Sequence, residues 1–407
     1  MTKLQGSFLR AIAAAALAAG TLLGAGAHAA TGGGATIHNA ATLTYNSGQQ
    51  VTDWVNVEVM TIGTAPEIDL TSSGPFDVNA GDTITLNYTI TANANGTDNY
   101  SLSAATSGTT GLTPGTTFTV SANTVTLGAS ITTAPSVVVD GDTGTLFIPS
   151  GSESNLSVGD IVVVGGFAYL LEDVRTGVIA STTGNTTTAE TYTEIDLTVL
   201  PASGAPPIGN GTIAAGQQIG ERQTFTVDVT VSAPTTVGTD GEVNVVITGN
   251  TSALDTGGNP VPYDTSTDGD GTNDPVINVL SATVTILKEA RNVTKGGVFA
   301  ASGVSAQTGD VLEYRITMTA TAGNGDAVNS VLVDELPQYT AYNTGSTTLN
   351  GNPVADDAGP ASAFPLDSAA STGNGADNGV AVNSATGAAG EIVDSESAVV
   401  IYAVTVQ

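Results

Sequence analysis

The sequence predicts an all-β protein built from β-sandwich modules in tandem, and three observations carry that prediction. Apolar residues recur at every second position, as in Ile84, Leu86, Tyr88 and Ile90, in Phe225, Val227, Val229 and Val231, and in Leu312, Tyr314, Ile316 and Met318. Such runs turn one face to a core and the other to water, the pattern of a half-buried strand. Between the runs stand Asn95-Gly96, Asp140-Gly141, Asn210-Gly211, Asp240-Gly241, Asn324-Gly325 and Asn350-Gly351, pairs that tolerate the positive φ angles of tight hairpin turns. Helical periodicity is missing beyond the N-terminal segment.

That segment, residues 1–29, reads as a signal peptide. Lys3 and Arg10 make a basic start, Ala11 to Gly26 an apolar core, and Ala27-His28-Ala29 a small-x-small cleavage site. The apolar run is too short and too glycine-broken to span a bilayer, so the expectation is a soluble, exported chain. No Cys stands ahead of the cleavage site to take a lipid, and the C-terminal Ile401 to Gln407 shows no sorting motif. Removing Lys3 and Arg10 leaves six of the eight Lys/Arg against 38 Asp/Glu, a net charge near −32 (6 − 38). Such a chain repels nucleic acid and anionic lipid, which are bound through clustered Lys/Arg. There is no Cys for disulfides, so stability must come from burial and strand pairing.

Residues 30–64 follow as a β-hairpin. Ala35 to Tyr45 reads as one strand, Asn46-Ser-Gly-Gln as the turn, and Val51 to Val59 as the second strand. Module one is expected over 65–281, with a β insertion at about 135–200 that includes a compact buried strand at Val158 to Val164. Module two is expected over 282–407. The modules share a repeat, Gly81-Asp82-Thr-Ile-Thr-Leu-Asn-Tyr88-Thr-Ile90 against Gly309-Asp310-Val-Leu-Glu-Tyr314-Arg-Ile316, and each carries a long alternating strand, 222–231 and 397–406.

The residues Val284-Thr-Ile-Leu-Lys288, Gln307-Thr-Gly-Asp310-Val-Leu-Glu-Tyr314, Val331-Leu-Val-Asp334-Glu-Leu-Pro337 and Tyr342-Asn-Thr-Gly-Ser346 resemble the conserved-repeat domain of bacterial and archaeal surface proteins, the domain-of-unknown-function family numbered eleven. The resemblance covers about 282–350 well, is vaguer to 407, and is weaker over 65–233, where Asp-x-Leu-Pro is missing. It implies tandem immunoglobulin-like β-sandwiches with a β insertion in the first, in an adhesive or structural extracellular protein. It supplies no catalytic residues.

Module one continues past 231 into Gly241 to Ile247 and Val276 to Val279, whereas module two shows no such continuation, and the N-terminal hairpin has the missing form. A sandwich short of a strand exposes an edge that pairs with other chains, and strand addition is an established mode of recognition. The expectation is therefore self-association: Ile37, Asn39, Leu43, Tyr45, Val55, Val57 and Val59 complete the last module of a neighbouring copy, giving a filament or surface layer, with a donor that is disordered when free. The alternative is that the hairpin pairs with its own module one.

Other chemistry is sparse. Asp264, Asp268, Asp270, Asn273 and Asp274 suit Ca²⁺, with Gly turning the backbone between oxygen ligands. A helix–loop–helix site is excluded, because the twelfth position counted from Asp268 is Val279, where that pattern needs a bidentate Glu. The alternative is a solvated hairpin loop. Lys288 is a candidate for an isopeptide bond to an Asn or Asp on a neighbouring strand, with a buried acid as catalyst; the alternative is a solvated lysine. Once the signal is removed, His38 is the only His, so a Ser-His-Asp triad would have to use it. Zinc sites need His/Cys clusters, which are absent. A non-enzyme is expected. Trp54, the single Trp, is expected in a core or an interface. A monomeric adhesin that binds surface glycans is the second functional expectation.

Overall fold

The structure is a computed structural model that describes residues 32–140, 143–179, 191–200, 204–267, 272–334, 336–354 and 380–407. The signal-peptide segment lies outside the described residues. The fold is all-β. Among the described residues the only helical piece is a 3₁₀ turn at Thr265–Thr267.

The chain enters through a hairpin of β1 (Thr36–Tyr45) and β2 (Gln49–Glu58), which form a two-stranded sheet of their own. Its turn uses Asn46 and Ser47 at φ 43° and 63°, followed by Gly48 at 130°. Positive φ at consecutive turn positions matches the twist of the flanking strands.

Module one then runs β3 (Glu67–Leu70), β4 (Phe76–Asn79), β5 (Thr83–Thr91), β6 (Asp98–Ser101), β7 (Ser103–Thr110), β8 (Thr117–Val120), β9 (Thr124–Leu127) and β10 (Ala129–Ile131). An excursion follows, comprising β11 (Ala134–Asp140), β12 (Thr143–Pro149), β13 (Ile161–Val164), β14 (Phe167–Ile179) and β15 (Thr191–Val199). The chain returns through β16 (Gln218–Thr230), β17 (Gly241–Leu254), β18 (Pro260–Asp264) and β19 (Val276–Leu280). One sheet carries β3, β5 and β16, and the facing sheet carries β4, β19, β17, β6 and β9. Leu86, Tyr88, Phe225 and Val227 from the first meet Leu127, Val243, Ile247 and Ile277 from the second in one core.

The excursion extends the first sheet rather than standing apart. Its strands run β11-β12-β15-β14-β13 and join at β16, whose first half pairs with β13 and whose second half pairs with β5 and β8. It has a core of its own, built from Leu146, Ile148, Leu171, Ile195 and Leu197 and continuing through Ile208 and Ile213 to Ile219. The inserted unit thus reaches past residue 200, because residues after β15 fold back onto it. The strand expected at Val158 to Val164 is shorter. Gly159 at φ 100° turns the chain, Val158 stands exposed, and pairing begins at Ile161.

Module two contains β20 (Val284–Asn292), β21 (Val311–Ala320), β22 (Val331–Leu332), β23 (Thr340–Tyr342), β24 (Thr348–Leu349), β25 (Asn352–Pro353), β26 (Val380–Ala381) and β27 (Ser397–Val406). Its main sheet is ordered β20-β21-β27-β24-β25. Across from it, among the described residues, stands a sheet of only two short strands, β22 and β26. Both modules brace the centre of the main sheet with a cross-strand aromatic pair, Tyr88 on Phe225 at 5.3 Å and Tyr314 on Tyr402 at 5.2 Å.

Of the six dipeptides expected to close hairpins, Asn350-Gly351 lies between directly paired strands, while Gly141 of Asp140-Gly141 lies outside the described residues, with the strands on either side of it, β11 and β12, paired. The others turn the chain between strands that are not each other's partners, as Asn95-Gly96 does between β5 and β6, which lie in opposite sheets.

Candidate functional site

The hairpin is the most unusual surface of the molecule. Its register sets Ile37 opposite Val57, Asn39 opposite Val55 and Leu43 opposite Val51. Directly opposed residues of an antiparallel pair share a face, and alternate residues share it too. One face therefore gathers Ile37, Leu43, Tyr45, Val51, Val55 and Val57, each between 45% and 61% exposed. The other face carries Thr36, Thr42, Thr44, Thr52, Asn56 and Trp54. Within it Thr42 and Thr52 share a hydrogen bond at 2.8 Å. A sheet with one apolar face normally lays that face on a core. Here the hairpin pairs with no described strand of module one.

The register thus brings together six of the residues expected to drive self-association, Ile37, Asn39, Leu43, Tyr45, Val55 and Val57, and adds Val51. Val59 belongs to the base instead: its N–H donates to the Ala35 carbonyl at 2.8 Å, and its own carbonyl accepts from Gly34 N–H at 2.8 Å. Trp54 lies in no core; it stands 61% exposed on the polar face.

The base is tightly fixed. Asn95 holds both legs, its carbonyl accepting from Gly33 N–H at 2.7 Å and its side-chain oxygen from Ile62 N–H at 2.6 Å. Gly63 N–H donates to the Leu254 carbonyl at 2.9 Å. Gly63 is required there, because an added Cβ would lie 2.1 Å from the Ala253 carbonyl oxygen. The structure thus describes the hairpin as two fully paired strands on a clamped base.

The acidic loop is partly described. Asp268 and Asp270 lie outside the described residues. Asp264 Oδ1 accepts from Ser266 N–H at 2.9 Å and from its hydroxyl at 2.7 Å. Asn273 is buried and uses its side-chain oxygen to accept Leu70 N–H at 3.0 Å, tying the loop to β3. Asp274 Oδ1 accepts from the Thr265 hydroxyl at 2.5 Å. Among the described residues no group of three His, Cys, Asp or Glu is arranged to hold a metal. Asn273 and Asp274 thus tie the loop to β3 and to the 3₁₀ turn, work that spacing alone did not reveal.

Lys288 lies on β20, its Nζ 2.6 Å from both carboxylate oxygens of Asp334. The Tyr402 hydroxyl donates to the same carboxylate at 3.0 Å. Burial next to Asp334 pushes that phenol well above its ordinary pKa. The geometry is an ion pair, and Asp334 is the acid that an amide from Lys288 would have to use. Nearby, Asp310 is held down at about 2 by hydrogen bonds from the Asn292 amide and Gln307 N–H and by the Lys295 ammonium. This turn, which opens β21, is what the Gly309-Asp310 repeat encodes.

No family model and no curated protein matches the chain.

Proposed function

We propose that the chain is a secreted structural subunit that assembles head to tail into an extracellular filament or surface layer, with the β1–β2 hairpin of each copy taken up by its neighbour. The observation that supports this reading is the amphipathic hairpin itself, an apolar face of six large, half-exposed side chains on a two-stranded sheet that joins no other sheet among the described residues. A lone two-stranded hairpin is marginal in water, and an edge-rich, apolar one is a template for another chain. A contact between two different surfaces that does not close on itself gives a filament. Strong negative charge opposes association, so assembly needs salt or divalent cations to screen it. Calcium at Asp264 and Asp274 belongs to the same reading, with extracellular sites of this sort binding at about 10⁻⁴–10⁻³ M.

The test replaces residues 36–58 by two glycines, leaving the clamped base intact. A variant that melts like the full chain but no longer forms polymers in negative stain supports the reading. A variant whose module one unfolds overturns it, because the hairpin would then serve its own sandwich. The second reading, a monomeric glycan-binding adhesin, would use the cleft lined by Ser101, Ser103, Thr248, Asn250 and Tyr263; saturable sugar binding by a monodisperse monomer favours it.

A further inference from the structure

Resting on the reading that the hairpin joins a second copy, we propose that its acceptor is the uncovered inner face of β20 in module two of that copy. The register of β20 and β21 sets Val284 opposite Ala320, Ile286 opposite Met318 and Lys288 opposite Ile316. Ala320, Met318 and Ile316 are core residues, so Val284 and Ile286 face the same way, toward the interior of the sandwich. Yet Ile286 is 65% exposed and Val284 37%. Among the described residues an inner-face isoleucine left that open lacks an opposing layer, since the sheet across from it consists of the two-residue strands β22 and β26. At the same edge, between Val284 and Glu289, β20 pairs with no described strand besides β21.

Module one shows what such a layer looks like. There β17 and β19 lie antiparallel across the main sheet, with Val243 opposite Ile277. Val243 and Ile247 of β17 and Ile277 and Val279 of β19 are fully buried, and the β3 residue Ile68 that they help to cover is buried too. The hairpin offers the same chemistry, two antiparallel strands with Ile37 opposite Val57 on a single apolar face.

Charge allows the contact at this place. In a chain of net charge −30, four of the eight Lys/Arg are Lys288, Arg291, Lys295 and Arg315. Each is paired with one acid: Asp334, Glu313, Asp310 and Glu289. The β20–β21 edge is therefore locally neutral, and a second acidic copy is repelled least there.

Geometry makes the contact intermolecular. The hairpin base is clamped at the Leu254 end of β17. Module two meets module one at the other end, where Asp326 N–H donates to Asn79 Oδ1 at 2.8 Å and Asn79 lies opposite Leu280, next to the Val279–Gly241 pair. The 14 residues of β17 separate the two ends, about 45 Å at roughly 3.4 Å per residue.

The chain has no cysteine, so a cross-link reads the contact directly. Full chains carrying Val55→Cys and full chains carrying Ile286→Cys are mixed under assembly conditions with a bis-maleimide that spans about 10 Å, with Trp54→Cys and Leu287→Cys as opposite-face controls. The expected result is a cross-linked dimer from Val55→Cys with Ile286→Cys and none from the controls, since facing sheets stand about 10 Å apart. In parallel, Ile286→Asp should raise the critical concentration about 10- to 100-fold, while Leu287→Asp leaves it within about threefold; both side chains are exposed, so the monomer's melting temperature should hold. Polymers that Leu43→Asp abolishes but Ile286→Asp leaves intact would overturn the acceptor and keep the hairpin as donor. No polymer from the unaltered chain under any salt or calcium condition would overturn both.

Discussion

Replacing Leu43 and Val55 by serine isolates the contribution of the hairpin's apolar face. The two side chains are 61% and 54% exposed, so each has a little over half of its burial still to gain. Full burial of a Leu or Val is worth about 1.5–3 kcal/mol, so the pair should contribute about 2–3 kcal/mol to assembly, roughly 30- to 150-fold in critical concentration. Neither residue packs on module one, so the thermal midpoint of the dispersed monomer should move by less than about 2 °C. Critical concentration is read by pelleting across a dilution series, and the midpoint by calorimetry below it. An unchanged critical concentration would refute the assignment of this face to the contact. A midpoint that falls by many degrees would show that the face already works within its own chain.

Further outcomes follow from the same geometry. On assembly Trp54, on the polar face, should stay open to acrylamide quenching; strong protection would mean that the hairpin docks by its other side. Asp310 has a native pKa of about 2 against roughly 3.9 in an unfolded chain, so the unfolded state takes up its proton first as pH falls. The stability this carboxylate contributes is full above about pH 4 and is lost between there and pH 2; Asp310→Asn should flatten that part of the acid-unfolding curve, and an unaltered curve counts against the assigned hydrogen bonds. Arg175 ties Asp173, Glu194 and Asp196 together at 2.8, 3.0 and 2.7 Å; Arg175→Met should cost about 1–2 kcal/mol in chemical denaturation, less than for a fully buried network because the side chain is half-exposed. At 5 mM Ca²⁺ a site of about 10⁻⁴–10⁻³ M would stabilise the chain by about 1–2 kcal/mol; a chelator should lower the midpoint and Asp264→Asn should remove the response, while equal shifts from Mg²⁺ would indicate screening alone.

Strands with strict alternation were legible because their period reports burial on one face. Ile84 to Ile90 and Leu312 to Met318 lie within β5 and β21, and the hairpin turn at Asn46 was readable from its composition. Strand partnership was not legible. Asn95-Gly96 has a hairpin's chemistry, but it crosses between sheets and clamps the hairpin base. Trp54 takes no place in a core because its neighbours Val55 and Val57 alternate onto the opposite face, and residue type cannot say which face a lone aromatic takes. The loop residue Asn273 looked like a ligand because its partner, Leu70 N–H, lies far away in sequence. The exposure of Ile286 was invisible for the same reason: what should cover it is a matter of the opposite sheet, not of its own strand.

Backbone hydrogen exchange of the assembled and diluted chain tests most directly whether this hairpin is completed by another copy. Residues 36–58 should be protected at high protein concentration and exchange freely on dilution, with Val284 to Lys288 changing in step and the rest of module one unaffected. Protection of 36–58 that is the same at every concentration would contradict the account.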